Sequence, residues 1–202
     1  MISIKTFAVG YLQTNCYVVT SDEHKEAAII DPGGGYAQIK AYLSAQGKTA
    51  TAVLLTHGHF DHMLDAKKLQ QDGAKVYIHQ DDAELLQSGG MAKQMGIRIM
   101  PFSADKFVAD GDEIKVCNTV FTVMHTPGHS KGSCCFLLED NIFSGDTLFA
   151  ESYGRTDFAG GSMAQLSASL KRLFDLDGDY KVFPGHMEKT TLSHERQYNP
   201  IF

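Results

Sequence analysis

The first limits on this chain come from what it lacks. No apolar stretch approaches the roughly 20 residues needed to span a bilayer, so a membrane helix is not expected. The opening MISIKTFAVGYLQTNCYVV holds a lysine but neither an unbroken apolar segment nor a small-residue cleavage site, and it does not read as a signal peptide. Positive charge is scarce: 18 Lys and Arg face 24 Asp and Glu, the net charge is -6, and no basic run exceeds two residues. A nucleic-acid partner is therefore not expected. None of Cys16, Cys117, Cys134 and Cys135 stands in a CxxC pair, which argues against a zinc finger or a redox couple. They read as buried free thiols in a reducing compartment, and the cytoplasm is the expected location. Gly33-Gly34-Gly35 lacks the lysine and spacing of a phosphate loop and reads as a turn. Linkers, low-complexity tracts and shifts of composition are missing as well, so residues 1–202 read as one domain.

What is present fits an ordinary globular protein. Hydrophobic residues make up 43% and charged residues 21%, and 202 residues can bury a substantial core. Short β-type runs cover Ile2–Phe7, Cys16–Thr20, Ala27–Ile30, Ala52–Thr56 and Lys75–His79. Helical patterns cover Tyr36–Gln46, Asp61–Asp72 and a short stretch around Asp82–Gln87. Residues 89–106 carry mixed signals. Strands resume at Glu113–Val116, Thr119–His125, Ser133–Leu138 and Asn141–Ser144, with Tyr180–Phe183 last. Between them Met163–Phe174 reads as a helix with a Leu166/Leu170/Leu173 stripe and a Ser162-x-x-Gln165 capping box. The neighbours Cys134 and Cys135 should face opposite sides of a sheet. Strands and helices alternating twice point to an α/β (α+β) protein, two sheets packed together with helices outside.

Chemistry concentrates in Thr56-His57-Gly58-His59-Phe60-Asp61-His62, between a buried strand and a helix. Imidazole nitrogen and carboxylate oxygen suit zinc and iron. As the chain turns from extended to helical, His57 and His59 can serve one ion while Asp61 and His62 serve another. Three further strands end in a glycine followed by a ligand type: Pro127-Gly128-His129, Ser144-Gly145-Asp146 and Pro184-Gly185-His186. Loops held at strand ends are where a site is expected.

HxHxDH, then TPGH, SGD and PGH in that order, resembles the metallo-β-lactamase superfamily. The likeness extends from Asn15-Cys16-Tyr17 nearly to the C-terminus. It implies a four-layer αββα sandwich, in agreement with the reading above. It also implies two metal ions, one on His57, His59 and His129, the other on Asp61, His62 and His186, with Asp146 bridging. Zinc is the expected metal, and iron or manganese accept the same set. Two such ions, about 3.5–4 Å apart, can hold a hydroxide near neutral pH that attacks a carbonyl carbon. Asp61 would orient that nucleophile as well as bind metal.

Departures inside the motifs separate branches of the family. Asp146 stands where many true β-lactamases have cysteine, which disfavours antibiotic hydrolysis, and His59 where the diiron flavoproteins have glutamate. The RNA-processing members carry a further domain for which this acidic chain is too short. Gly154-Arg155-Thr156-Asp157-Phe158 and Glu195-Arg196-x-x-Asn199-Pro200 resemble glyoxalase II-like hydrolases and the related persulfide dioxygenases. The first relationship implies a hydroxyacylglutathione hydrolase-like enzyme that cleaves small thioesters or esters, with Arg155 and Tyr153 touching the substrate. Full-length glyoxalase II has a C-terminal helical domain that completes its thiol site, whereas this chain ends soon after His186. The second relationship implies a mononuclear iron dioxygenase using His57, His59 or a neighbour, His129 and Asp146. A non-catalytic metal-binding module is the third reading; a full ligand set argues against it, because structural zinc sites close with four ligands. The oligomeric state is not written in these residues.

The remaining histidines carry plainer expectations. His125 should be partly buried or a hydrogen-bond partner of a ligand, His79 a surface or helix-entry residue, and His24 and His194 exposed. Met91, Met95 and Met100 are candidates for a substrate groove.

Overall fold

The computed structural model of the chain describes residues 1–201. The first half opens with strands β1 (Ile2–Val9), β2 (Thr14–Ser21) and β3 (Glu26–Ile30), then helix α1 (Tyr36–Ala45) and strand β4 (Thr49–Leu54). Helices α2 (Phe60–Met63) and α3 (Ala66–Gln71) lead to β5 (Lys75–His79), α4 (Ala83–Ser88) and β6 (Lys106–Val108). The second half contains β7 (Glu113–Val116), β8 (Thr119–His125), β9 (Cys134–Leu138), β10 (Asn141–Gly145), β11 (Leu148–Phe149) and β12 (Ser152–Tyr153). It closes with α5 (Met163–Phe174), β13 (Lys181–Pro184), β14 (Thr190–Thr191) and α6 (Leu192–Tyr198). One sheet runs β1-β2-β3-β4-β5-β6 and the other β14-β13-β10-β9-β8-β7.

Alternation along the strands sorts side chains into three apolar layers. Between the sheets lie Tyr17, Val19, Ile30 and Leu54 from one side and Phe121, Phe136 and Phe143 from the other. The opposite face of the first sheet sends Val18, Ile29, Val53 and Ile78 against Ile39 and Leu43 of α1 and Met63 and Leu69 beyond β4. Ile142 and Val182 of the second sheet meet Leu166, Leu170 and Leu173 of α5 and Leu192 of α6. The result is the expected αββα order. Strands covered on both faces, such as β2 and β10, are buried almost throughout rather than in alternation. Cys134 belongs to the inner layer and Cys135 to the outer one, as adjacent strand residues must.

The pattern departs from expectation where tertiary contacts intervene. The helix expected over Asp61–Asp72 is broken into α2 and α3. At the break the Asp65 N–H donates to the Pro32 carbonyl at 2.9 Å, and its carboxylate accepts from the Tyr36 N–H. The glycine turn after β3 thus draws the chain out of the helical path. Ser162 does cap α5, accepting from the Gln165 N–H at 3.4 Å. Strands β11, β12 and β14 hold two residues each, too few to show a period. No helix among the described residues is long and apolar enough to cross a membrane.

Strands β3 and β4 are parallel, as are β10 and β13. The segments carrying His57, Asp146 and His186 therefore leave the C-terminal ends of parallel strands, where ligand sites of such sheets collect.

Candidate metal centre

The loop after β4 holds His57 and His59, and α2 carries Asp61 and His62 in its single turn. His129 follows β8, Asp146 follows β10 directly, and His186 lies two residues beyond Pro184 of β13. Two glycines let these segments meet. A Cβ at Gly33 would sit 1.4 Å from the Asp61 carbonyl oxygen, and one at Gly185 would sit 2.3 Å from Asp146 Oδ1. Neither position has room for a side chain.

All seven side chains converge. His57, His59 and His129 form one group of potential ligand atoms, His57, His62 and Asp146 a second, and Asp61, His62 and His186 a third. His129 Nε2 lies 2.9 Å from His59 Nδ1, and His186 Nε2 lies 3.1 Å from Asp61 Oδ2. Asp146 sits between the sets, with Oδ1 3.4 Å from His62 Nε2 and Oδ2 3.5 Å from His129 Nε2 and 3.7 Å from His186 Nε2. His57, His59, Asp61, His62 and His129 are buried. Among the seven, the buried atoms His57 Nε2, His62 Nε2 and Asp146 Oδ1 have no hydrogen-bond partner. Orphaned buried polar atoms are rare in folded proteins and need an explanation. Three of them aimed into one nest of imidazoles and carboxylates fit cations.

The electrostatics agree at His57 and His59. Burial, reinforced by the surrounding imidazoles, holds His57 well below the usual histidine range. Burial and His129 push His59 down to about 3. Both rings are therefore neutral, which a metal ligand requires. Burial works against a charge on His62 too, but Asp146, Asp61 and Asp31 outweigh it and raise that ring well above the usual value. Burial would likewise raise Asp61, yet His62 and His186 hold it far below the usual carboxylate range.

The supporting residues were mostly not legible in the sequence. Asp31 takes the Thr56 N–H and hydroxyl and lies 2.9 Å from His62 Nδ1, which leaves His62 Nε2 facing the cluster. In the sequence, Asp31 was only the first residue of a turn. The Arg155 carbonyl lies 2.8 Å from His129 Nδ1, and the Thr14 hydroxyl donates to Asp61 at 3.2 Å. Asn15 and Tyr17 donate to the Pro184 carbonyl, which anchors the segment bearing His186. Buried Asp82 accepts from Gly58 N–H, the Ser130 hydroxyl and Gly132 N–H, and so clamps the loops of His57–His59 and His129 together. One Asp beside another in Gln80-Asp81-Asp82 gave no sign of this role.

A cavity of about 610 Å³ opens above the cluster, with His59, Asp61, His129, Asp146 and His186 in its wall. Tyr153 and Arg155 line it too, as do Met91 and Met95, whereas Met100 is exposed at a separate recess beside Arg98 and Ile99. Arg155 also pairs bidentately with Asp157 and stacks its guanidinium 4.1 Å from the Phe158 ring centroid. Four histidines stay outside. His79 and His125 stack at 3.9 Å, both half-buried; one nitrogen of His79 accepts from the Asp81 N–H, and His125 Nε2 lies 2.9 Å from the Lys131 carbonyl. His79 thus stands at the entry of the short helical turn Gln80–Asp82, one of the two places expected for it. His24 and His194 are half-buried rather than exposed; His194 packs on Tyr198 and lies 3.0 Å from Glu151.

Residues 9–186 match the family model described as the Metallo-beta-lactamase superfamily. The hydroxyacylglutathione hydrolase GloC of Haemophilus influenzae is 33% identical over 208 residues, covering 99% of this chain and 98% of that protein. Two crystal structures are similar throughout. BLEG-1 B3 metallo-beta-lactamase has TM-score 0.91 and 35% identity, with 98% of each chain covered. TTHA1623 in a di-iron-bound form has TM-score 0.88 and 35% identity, covering 98% of this chain and all of that one.

Proposed function

Because the chain belongs to the metallo-beta-lactamase superfamily, whose members here include metal-dependent hydrolases, we propose that it is a binuclear hydrolase of small thioesters. The observation that carries this is the convergence of seven ligand side chains, three of whose buried atoms are unpaired, in the wall of an open cavity. His57, His59 and His129 would hold one divalent ion and Asp61, His62 and His186 the other, with Asp146 between them. Bound there, such ions lower the pKa of water toward neutrality and polarise a carbonyl oxygen.

The chain's own groups do the rest. Asp61 Oδ2 accepts from the Thr14 hydroxyl and faces His186, a placement that orients a water proton toward the carboxylate. Asp31 and the Arg155 carbonyl fix the rotation of His62 and His129, so neither ring must reorganise. Tyr153 and Arg155 border the space a substrate would fill. A thiolate leaves without protonation, which suits a wall in which, among the described residues, no lysine stands ready to protonate a leaving amine. GloC supports the thioester reading. The likeness to BLEG-1 supports a second one, cleavage of a lactam amide.

Elemental analysis of protein purified without added metal, joined to thioester, lactam and oxygen-uptake assays, tests the proposal. Expected are about two ions per chain and thioester hydrolysis lost on chelation. Asp146→Ala should abolish turnover and lower the metal content. One iron per chain with oxygen uptake on a persulfide would replace the proposal with the dioxygenase; an Asp146→Ala protein with undiminished activity would end it.

A further inference from the structure

The cavity above the cluster has a character that the thioester reading leaves unspecified. Its outer wall is apolar and unusually exposed: Leu12 is 46% accessible, Met95 57% and Met187 59%. Phe149, Phe158 and Met91 continue this surface inward toward His59 and His186. Large apolar side chains left in water around a reactive centre mark a surface that a ligand covers. Methionines at the rim adapt to chains of differing shape.

Charge is absent where an anionic carrier would need it. Arg155 is the one Lys or Arg side chain among the described residues lining the cavity. Its Nε and Nη2 already donate to Asp157 at 2.6 and 2.5 Å, and its plane lies on Phe158, so a carboxylate of the chain itself balances its charge. Beyond Met187, Lys189 shares the neighbouring recess with Glu151 and Glu188, so that side offers no net positive charge. A glutathione moiety brings two carboxylates, and the single Lys or Arg in this wall is already paired with Asp157.

We propose that the site takes thioesters whose acyl arm is an unbranched or aromatic apolar group on an uncharged thiol, with Leu12, Met91, Met95 and Met187 covering that arm. This rests on the thioesterase reading and narrows its substrate class. Each methylene buried against the wall should raise kcat/KM about fourfold until the cavity is filled. The reaction is ordinary hydrolysis: the thioester C–S bond breaks, a C–O bond to water oxygen forms, and the thiol and carboxylic acid leave.

The test is a series of N-acetylcysteamine thioesters (acetyl, butyryl, hexanoyl, phenylacetyl) against S-lactoylglutathione, on metal-replete protein. Hexanoyl and phenylacetyl thioesters should exceed the acetyl one in kcat/KM by about 10-fold or more, mainly through KM, and should exceed S-lactoylglutathione. Met95→Lys should reverse the order, lowering the hexanoyl value and raising that of S-lactoylglutathione. Hexanoate should also inhibit competitively more strongly than acetate. A flat series, or S-lactoylglutathione as the best substrate, overturns this inference and leaves the thioesterase reading standing. No turnover of any thioester overturns both.

Discussion

Asp82 accepts three hydrogen bonds from two loops, and each of those loops ends in candidate metal ligands. It is 1% exposed, so no water replaces its oxygens when the side chain is removed. Asp82→Ala leaves Gly58 N–H, Gly132 N–H and the Ser130 hydroxyl unpaired, and should cost about 3 kcal/mol of stability. Denaturant titration measures that loss. Metal titration of the same variant should show weaker uptake at the His59–His129 side; uptake equal to the parent protein would mean that the clamp is structural alone. The thiols offer a second expectation at this scale. Burial pushes Cys117 and Cys135 up to about 11, and Cys16 and Cys134 well above their usual value. The native protein should therefore react only slowly with a thiol reagent at pH 8, and all four thiols should react promptly in denaturant, where their pKa returns to about 8.5. Rapid labelling of a native thiol would contradict the burial.

Helix α5 shows how an element far from the cluster in sequence holds one of its loops. Its Leu166, Leu170 and Leu173 stripe packs on the outer face of the second sheet. The Ser169 hydroxyl donates to the Pro127 carbonyl, and the Ser162 N–H donates to the Gly128 carbonyl. The turn leading to His129 is thus fastened to the helix at both ends. Leu170 is fully buried, so Leu170→Ala should cost about 2–5 kcal/mol, read as a drop in the thermal midpoint of roughly 2–4 °C per kcal/mol. A midpoint unchanged by this substitution would mean that α5 does not contribute to the cooperative core. The stripe and the Ser162 cap were both readable in advance, because a 3.6-residue period and a capping side chain are local properties. The break between α2 and α3 was not, because the groups that cause it belong to the turn after β3.

At the scale of the molecule, the candidate ligands come from both sheets and tie the two halves of the sandwich together. Cations that bind them only in the folded state stabilise it by mass action, about 4 kcal/mol at a thousandfold excess over the dissociation constant. Chelation should accordingly lower the thermal midpoint by roughly 10 °C, and zinc, iron or manganese added back should restore it to different extents. A midpoint indifferent to chelator would argue against cations in this cluster.

The sequence by itself determined the alternation that builds two sheets, the apolar face of α5 and the seven residues that meet in the cluster. Each of these is carried by residue type and short spacing: period 2, period 3.6, and a glycine followed by a ligand at a strand end. Only the tertiary structure decided which neighbours hold the cluster in place and what kind of surface rises above it. Asp31, Asp82, Thr14 and the Arg155 carbonyl reach their partners across 24 or more residues of chain. Leu12, Met91 and Met187 meet in one wall although they stand in three separate loops. Contacts of that length depend on how whole elements pack, and no local pattern encodes them.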